Sequence, residues 1–596
     1  MAVQEEEILG KAYDARLMRR LIRYLKPYKW GVIGAIALAI SAAALGPVRP
    51  WIIQNIIDNY IAAPTAPQHG FGMLIMFLAG SLVLQALSQY ALTYVTQWIG
   101  QHTIYDIRVQ LFRHLQTLAL RFFDRNPVGR LVTRLTNDVE VLNDMFSSGV
   151  VMIFADVFVI VWIIVFMFSI SWDLSLVTLS CLPLLVWATA VFRKKARAVY
   201  REVRRQIARL NAFMNEEITG MNTVQLFHQE DRLFGQFKEI NRAYADANIK
   251  SIFYYALFYP GVELISAVAS ALVLWYGGSH VLGHTVSIGT MIAFFMYVEQ
   301  FFRPIRDLSE KYDTMQQAMA SSERIFKVLD DSMQLSTPAQ PVPIGEVKGQ
   351  IEFRNVWFAY NGEDYILKDI SFTVQPGERV AFVGATGAGK TSITNLLCRF
   401  YEFQKGDILI DGKSIRDIDP HELRKAMAIV MQDAFLFSTD VLTNITLGDA
   451  AISFAQARNA AALTGADKFI VRLPEGYQEQ VRERGVIFSS GEKQLLSFTR
   501  ALAYDPKILI LDEATANIDT ASETIIQEAT ERLLQRRTSL VIAHRLSTIQ
   551  HANQILVMHH GEIRERGTHQ QLLVLNGIYA RLYRLQYKDQ IVSEAA

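Results

Sequence analysis

Six apolar segments crowd the first half of the chain, near Gly31–Ile53, Phe71–Ile99, Val150–Ile170, Leu174–Phe192, Val262–Leu282 and Ile288–Phe302. A helix needs about 20 apolar residues to cross the hydrocarbon core of a bilayer, and the first five meet that length. The sixth is short unless its helix continues past Pro304. Six such segments in succession argue against a soluble helical bundle and predict an α-helical six-span transmembrane domain. A hydrophobic fraction of 51% and a mean hydropathy of +0.17 suit a chain that is part membrane and part aqueous.

The basic residues give the expected orientation. The gap between the second and third segments holds Arg108, Arg113, Arg121, Arg125, Arg130 and Arg134, and the gap after the fourth begins Arg193, Lys194, Lys195 and Arg197. The other three gaps contain no Lys or Arg. The N-terminus, both basic loops and the C-terminus are therefore expected in the cytosol. The basic loops run about 50 and 70 residues, long enough as helices to reach several tens of ångströms beyond the bilayer. Ahead of the first segment, Leu17, Leu21, Ile22 and Leu25 recur at helical spacing between Arg16, Arg19, Arg20 and Arg23. That pattern predicts an amphipathic helix along the membrane face rather than a secretory signal.

From Asp331 to Gly349 the chain holds Pro338, Pro341 and Pro343 without apolar periodicity, and reads as a linker. Beyond it, short β-branched runs alternate with helical runs, which predicts an α/β domain. Cys181 and Cys398 are the only cysteines and offer no disulfide framework or metal cluster. The net charge of +1 carries no signature of nucleic-acid binding, and none is expected.

The most specific local pattern is Gly384-Ala385-Thr386-Gly387-Ala388-Gly389-Lys390-Thr391, between a predicted strand (Arg379–Val383) and a predicted helix (Ser392–Phe400). It fits the phosphate-loop pattern in its required context. Glycines let backbone N–H groups approach phosphates, and the helix N-terminus adds its positive end. Lys390 would reach the β- and γ-phosphates, and Thr391 would offer a hydroxyl to Mg²⁺. Further on, Ile508–Leu511 reads as a buried strand ending in Asp512 and Glu513. A carboxylate there can hold Mg²⁺, and the next can activate the attacking water.

With these motifs the chain resembles the ABC transporters of the exporter type, over nearly all of its 596 residues. The resemblance implies a half-transporter whose α/β P-loop ATPase domain is of the ABC type. It implies ATP binding by Tyr360, by the loop Gly384 to Thr391 with Ser392, and by Gln432. Tyr360 stands at the position that stacks on adenine, and Gln432 at the loop that contacts Mg²⁺ and the membrane domain. Mg²⁺ is expected on Thr391, Gln432 and Asp512. Glu513 is expected as the catalytic carboxylate, His544 as the switch histidine at the γ-phosphate, and Asp519 in the loop that follows Glu513. Phe122–Gly129 matches the first coupling loop, and Asn215-Glu216-Glu217, Gly220 and Val224 match the second. The organisation implied is a cytosolic N-terminal helix over residues 1–30, the six-span domain over 31–328, a linker over 329–350, the nucleotide-binding domain over 351–588 and a tail over 589–596.

One motif departs from the family. Where its signature reads LSGGQ, this chain has Phe488-Ser489-Ser490-Gly491-Glu492. Ser490 adds a side chain where glycine permits close approach. Glu492 sets a carboxylate near a site meant for phosphate. In this family the signature closes over ATP held by the partner, so the variant would weaken the partner's site while this chain's own site keeps Glu513; that combination resembles one subunit of the asymmetric heterodimeric exporters, which favours a different chain as the second half, with a homodimer that tolerates the variant signature as the alternative. The expected activity is ATP-driven export or flipping of hydrophobic or amphipathic compounds, drugs or lipids, across a bacterial plasma membrane by alternating access. An importer of siderophore type and an ATP-gated channel or regulatory subunit are the rival readings. Asp156 and Glu299 lie in apolar segments and are candidate cavity acids for cationic cargo.

Overall fold

A computed structural model of the chain describes residues 14–62, 68–336, 338, 340–512, 520–542 and 546–585. It divides into two compact units: Met1–Gln116 with Val128–Asp331, and Thr117–Pro127 with Ser332–Ala596.

The first unit is helical. Helix α1 (Ala15–Leu25) starts at Asp14, whose carboxylate accepts from the Arg16 backbone N–H at 2.7 Å. A single 3₁₀ turn joins it to α2 (Lys29–Ile56), which is followed by α3 (Gln68–Thr117). Helix α4 (Leu120–Arg125) belongs to the second unit, and the first resumes with the short helices α5 (Val128–Thr133) and α6 (Val139–Asp144), which lead to α7 (Val150–Ile170). Then come α8 (Trp172–Leu179), α9 (Leu182–Thr219), α10 (Met221–Leu226), α11 (Glu230–Leu282) and α12 (Ile288–Leu329).

Among the described residues, five stretches are long and apolar enough to cross a membrane: Ala15–Ile61, Gly70–Thr117, Val128–Ile170, Trp172–Thr219 and Glu230–Leu282. The sixth expected segment opens α12, which runs on through Pro304 for 42 residues but turns polar beyond it. The fourth segment is one apolar run in sequence but two helices in the fold. Pro183 follows the break between α8 and α9, where its missing N–H and its ring disfavour a continuous helix.

Apolar faces of these helices meet in one buried cluster. It holds Ile163 and Met167 of α7, Leu174 of α8, Leu185 of α9, Val262, Ala269 and Val273 of α11, and Phe294, Tyr297 and Phe301 of α12. The buried Tyr297 hydroxyl is satisfied by donating to the Pro47 carbonyl of α2 at 2.9 Å. Near the C-terminal end of α2, Asp58 accepts from the Ser287 hydroxyl at 2.5 Å and from the Gly289 N–H at 2.8 Å, tying α2 to the start of α12. Toward the other end of α12, the buried Asp138 accepts from Ser321 at 3.0 Å and from the Arg324 Nε at 3.0 Å.

The second unit carries two sheets. One is antiparallel, in the order β2 (Leu367–Val374), β1 (Ile351–Phe358), β4 (Lys405–Ile410), β5 (Lys413–Ser414). The other runs β10 (Glu562–Gly567), β9 (Gln554–His559), β3 (Arg379–Val383), β8 (Thr538–Ile542), β7 (Ile508–Asp512), β6 (Met427–Val430). All its pairings are parallel except β9 with β10. Ile508-Leu509-Ile510-Leu511 is apolar at every position because both faces are covered. Leu509, Leu511, Ala381, Val541 and Ile555 enter one core, and Ile508, Ile510, Val380, Leu540 and Leu556 enter the other.

The segment read as a linker belongs to the second unit from Ser332 onward. Side chains elsewhere in the unit hold its backbone at both ends. Asp411 accepts from the N–H groups of Lys348 at 2.8 Å and Gln350 at 2.9 Å, and the buried Arg399 donates to the Ser336 carbonyl at 2.6 Å.

Candidate functional site

The loop after β3 is built for close backbone approach. A Cβ on Gly384 would lie 2.4 Å from the Met558 carbonyl oxygen. Gly389 caps the following helix at φ +100°, where a Cβ would also meet Leu367 at 2.7 Å. That helix spans Lys390–Leu397, so it begins two residues before the expected start and ends three before the expected end. Ala385, Thr386 and Gly387 form the exposed tip, Ala388 is buried, and Thr391 faces outward in the first helical turn.

Lys390 is buried, with its Nζ donating to the carbonyls of Gly384 at 2.6 Å and Ala385 at 3.1 Å. Burial pulls its pKa below the usual lysine value, and the Asp512 carboxylate acts in the opposite direction. Because β3, β8, β7 and β6 are adjacent and parallel, their C-terminal ends share one edge of the sheet. The phosphate loop leaves β3 there, Asp512 ends β7, and the exposed Gln432 lies two residues past β6. Fold topology thus gathers the loop, Asp512 and Gln432 from positions far apart in sequence. Glu513, Asp519 and His544 lie outside the described residues.

Tyr360 is tied to the same loop. Its hydroxyl pairs with Ser392 Oγ at 3.1 Å and accepts from Asn395 Nδ2 at 3.4 Å. Its ring stands edge-on to Tyr401 at 5.0 Å. Tyr401 in turn donates a short hydrogen bond to Asp124 on α4, and the neighbouring Arg125 donates to Asn361 at 2.9 Å. Burial and the Asp124 carboxylate both push the Tyr401 phenol above its ordinary range. Segment 117–127 therefore reaches the residues around Tyr360. Tyr401 was not singled out from sequence, since a lone Tyr between Phe400 and Glu402 carries no motif.

Ser489 to Glu492 begin the helix Ser490–Ala503, which packs on the helices Val441–Thr446 and Phe454–Thr464. Ser489 is its N-cap and accepts from the Glu492 N–H at 3.2 Å, while Glu492 Oε2 accepts from the Ser489 N–H at 2.8 Å. Gly491 is buried under this turn. The variant signature is thus a reciprocal capping box, with the Glu492 carboxylate folded onto the helix N-terminus. The S-x-x-E spacing carried that signal in the sequence.

In the first unit, Asp156 on α7 pairs with Lys311 on α12, so one candidate cavity acid has a cation of its own chain. Lys311 lies beyond Pro304, outside the expected sixth segment. Glu299 is exposed and has no ion pair among the described residues.

Residues 32–305 match the family model described as ABC transporter transmembrane region, and residues 367–516 match the one described as ABC transporter. The chain is 37% identical over 589 residues to an uncharacterized ABC transporter ATP-binding protein of Bacillus subtilis, covering 98% of this chain and 97% of the relative. The chain belongs to the ABC transporter family. It is an exporter-type half-transporter, and its second unit is an ATPase coupled to transport. This ABC transporter is also 39% identical over 525 residues to the "Probable multidrug resistance ABC transporter ATP-binding/permease protein" YheH of Bacillus subtilis, covering 87% of this chain and 77% of the relative. It is 34% identical over 578 residues to the ATP-dependent lipid A-core flippase of Syntrophus aciditrophicus, covering 97% and 96% of the two chains.

Proposed function

We propose that this half-transporter exports or flips amphipathic compounds, lipids or drugs, across a bacterial plasma membrane, driven by ATP hydrolysis between its ATPase domain and that of a second half. The carrying observation is one chain that joins helices long and apolar enough to cross a membrane to a sheet edge holding the phosphate loop and Asp512, together with relatives named for multidrug resistance and lipid A-core flipping. The boundaries proposed for its domains remain 31–328 for the membrane domain and 351–588 for the ATPase domain. The N-terminus, the two long loops and the ATPase domain are assigned to the cytosol from the charge pattern.

In this reading Tyr360 stacks on adenine, the backbone of Gly384–Thr391 cradles the phosphates, and Lys390 neutralises the β- and γ-phosphates. The oxygen donors of Thr391, Gln432 and Asp512 suit Mg²⁺, a hard cation that keeps waters and phosphates as its other ligands. When bound, Mg²⁺ supplies charge neutralisation at the transferring phosphate. Glu513 accepts the proton of the attacking water, His544 holds the γ-phosphate, and Asp519 contacts the opposing site. ATP binds the closed pair of ATPase domains better than the open pair, which is what shifts the membrane helices in alternating access.

Two observations favour a partner half, and a different one. Around α10, Ile218, Leu226 and Phe227 are 64%, 73% and 63% exposed, an apolar loop tip suited to docking on an ATPase surface. The Glu492 carboxylate already occupies the N-terminus of the signature helix, where a partner's γ-phosphate would be received. Purified alone into lipid nanodiscs, the chain is expected to show little ATPase activity. Co-expressed with the half encoded beside it, it should show activity stimulated by members of a panel of lipids and amphipathic cations. A stable homodimer with substrate-stimulated ATPase overturns the heterodimer, and no stimulation in either form overturns the export reading.

A further inference from the structure

Arg16, Arg19 and Arg23 of α1 belong to none of the sequence motifs assigned to nucleotide binding or coupling. Arg16, Arg19 and Arg23 recur at spacings of three and four, so their side chains share one face of the helix. With Ala15 and Arg20 they line an open concavity of about 490 Å³. The opposite face is fixed against the first unit. Met18 and Leu21 are buried, and Tyr24 stacks on Phe326 of α12 with ring centroids 6.4 Å apart. The Arg20 guanidinium lies 4.0 Å over the same ring and donates paired hydrogen bonds of 2.6 and 2.7 Å to Asp330. These contacts keep α1 from rolling, and Arg16, Arg19 and Arg23 are exposed. Among the described residues, no carboxylate forms an ion pair with any of the three.

Depth is also set by the fold. A three-residue turn, Lys26–Tyr28, separates α1 from α2, the first membrane-crossing helix. Trp30 and Ile33, just inside α2, are 75% and 54% exposed. A tryptophan at the start of a span, preceded by a basic helix, belongs at the level of the headgroups.

We propose that the Arg16, Arg19 and Arg23 face of α1 binds the phosphate headgroups of anionic phospholipids. Guanidinium groups pair with phosphate oxygens in bidentate geometry. Each basic residue near an anionic surface adds about fivefold in affinity, so three add up to about a hundredfold. The Asp330 clamp holds the helix in place while the other three arginines reach the lipid.

The test is native mass spectrometry of the detergent-purified full chain, titrated separately with phosphatidylglycerol and with zwitterionic phosphatidylcholine. Wild type is expected to bind phosphatidylglycerol more tightly, by up to about a hundredfold, with the preference shrinking as salt rises. The triple variant R16Q/R19Q/R23Q is expected to bind the two lipids about equally, with an unchanged melting temperature as the control for folding. The triple lysine variant, R16K/R19K/R23K, should keep most of the preference. Equal binding of both lipids by wild type overturns the proposal, as does a preference that survives the triple glutamine variant.

Discussion

Replacing Glu492 with Gln separates the two things this residue does. Its Oε2 accepts the Ser489 N–H at 2.8 Å, and Gln serves equally at this position of a capping box. Glu492→Gln should therefore cost the helix only the charge–dipole contribution, about 0.3–1 kcal/mol. Glu492→Ala loses the cap as well, about 1 kcal/mol more. The electrostatic effect on nucleotide is larger. At an effective dielectric of 20 a unit carboxylate opposes a phosphate charge by about 4 kcal/mol at about 4 Å, and by about 2 kcal/mol at twice that distance. That corresponds to about thirtyfold in apparent ATP affinity at the site this signature completes. The assay is ATP-dependent turnover of the full chain in lipid nanodiscs, alone and with its partner half, for wild type, Glu492→Gln, Glu492→Ala and the double variant Ser490→Gly/Glu492→Gln. The apparent KM for ATP should fall for Glu492→Gln, and furthest for the double variant, with melting temperatures nearly unchanged. An identical KM in wild type and Glu492→Gln, at equal stability, would refute the idea that this carboxylate weakens a nucleotide site.

Further predictions concern other contacts. Tyr401→Phe keeps the edge-on packing against Tyr360 but removes the hydrogen bond to Asp124, a loss of about 1.5–3 kcal/mol for a charged acceptor; substrate stimulation of ATPase should fall while the KM for ATP holds. Removing one member of the Lys311–Asp156 pair leaves a partly buried charge with its ion-pair partner gone. Asp156→Leu should destabilise by about 3 kcal/mol, with much of that recovered in Asp156→Leu/Lys311→Leu, read from thermal unfolding in detergent. Asp330 is held below the usual carboxylate range by its hydrogen bonds from Arg20. A depressed folded pKa gives stability that is present above the unfolded value near 4 and is lost as pH falls through the folded one. Because the pair is exposed, Asp330→Asn should cost under about 1 kcal/mol at pH 7, a melting difference that closes as pH drops below about 4. Burial pushes the Cys398 thiol up to about 12, so a maleimide at neutral pH should leave it unmodified until the chain is denatured.

The features legible from sequence are those set by local chemistry. The strand, glycine-rich turn and helix around Gly384–Thr391 and the strand at Ile508–Leu511 form where the sequence pattern puts them, because strained glycine positions and a short β-branched apolar run are set by local chemistry. Spans one to five were readable from length and hydropathy. What escaped depended on neighbours distant in the chain. Pro183 divides an apolar run that looks continuous. Lys311 finds Asp156 across 155 residues, and Tyr401 finds Asp124 across 277. Glu492 was legible as a charge near a phosphate site, but its capping role required weighing S-x-x-E against the family pattern. Asp331–Gly349 looked like a free linker because the groups that hold it, Asp411 and Arg399, lie elsewhere in sequence.

The most direct test of the account is ATP-dependent accumulation of a fluorescent amphipathic cation or short-chain lipid in inside-out membrane vesicles that carry the chain with its partner half. The account predicts accumulation that requires hydrolysable ATP and is abolished by Glu513→Gln and by Lys390→Ala. Accumulation that persists in both variants, or ATP turnover with no movement of any compound in the panel, would contradict it.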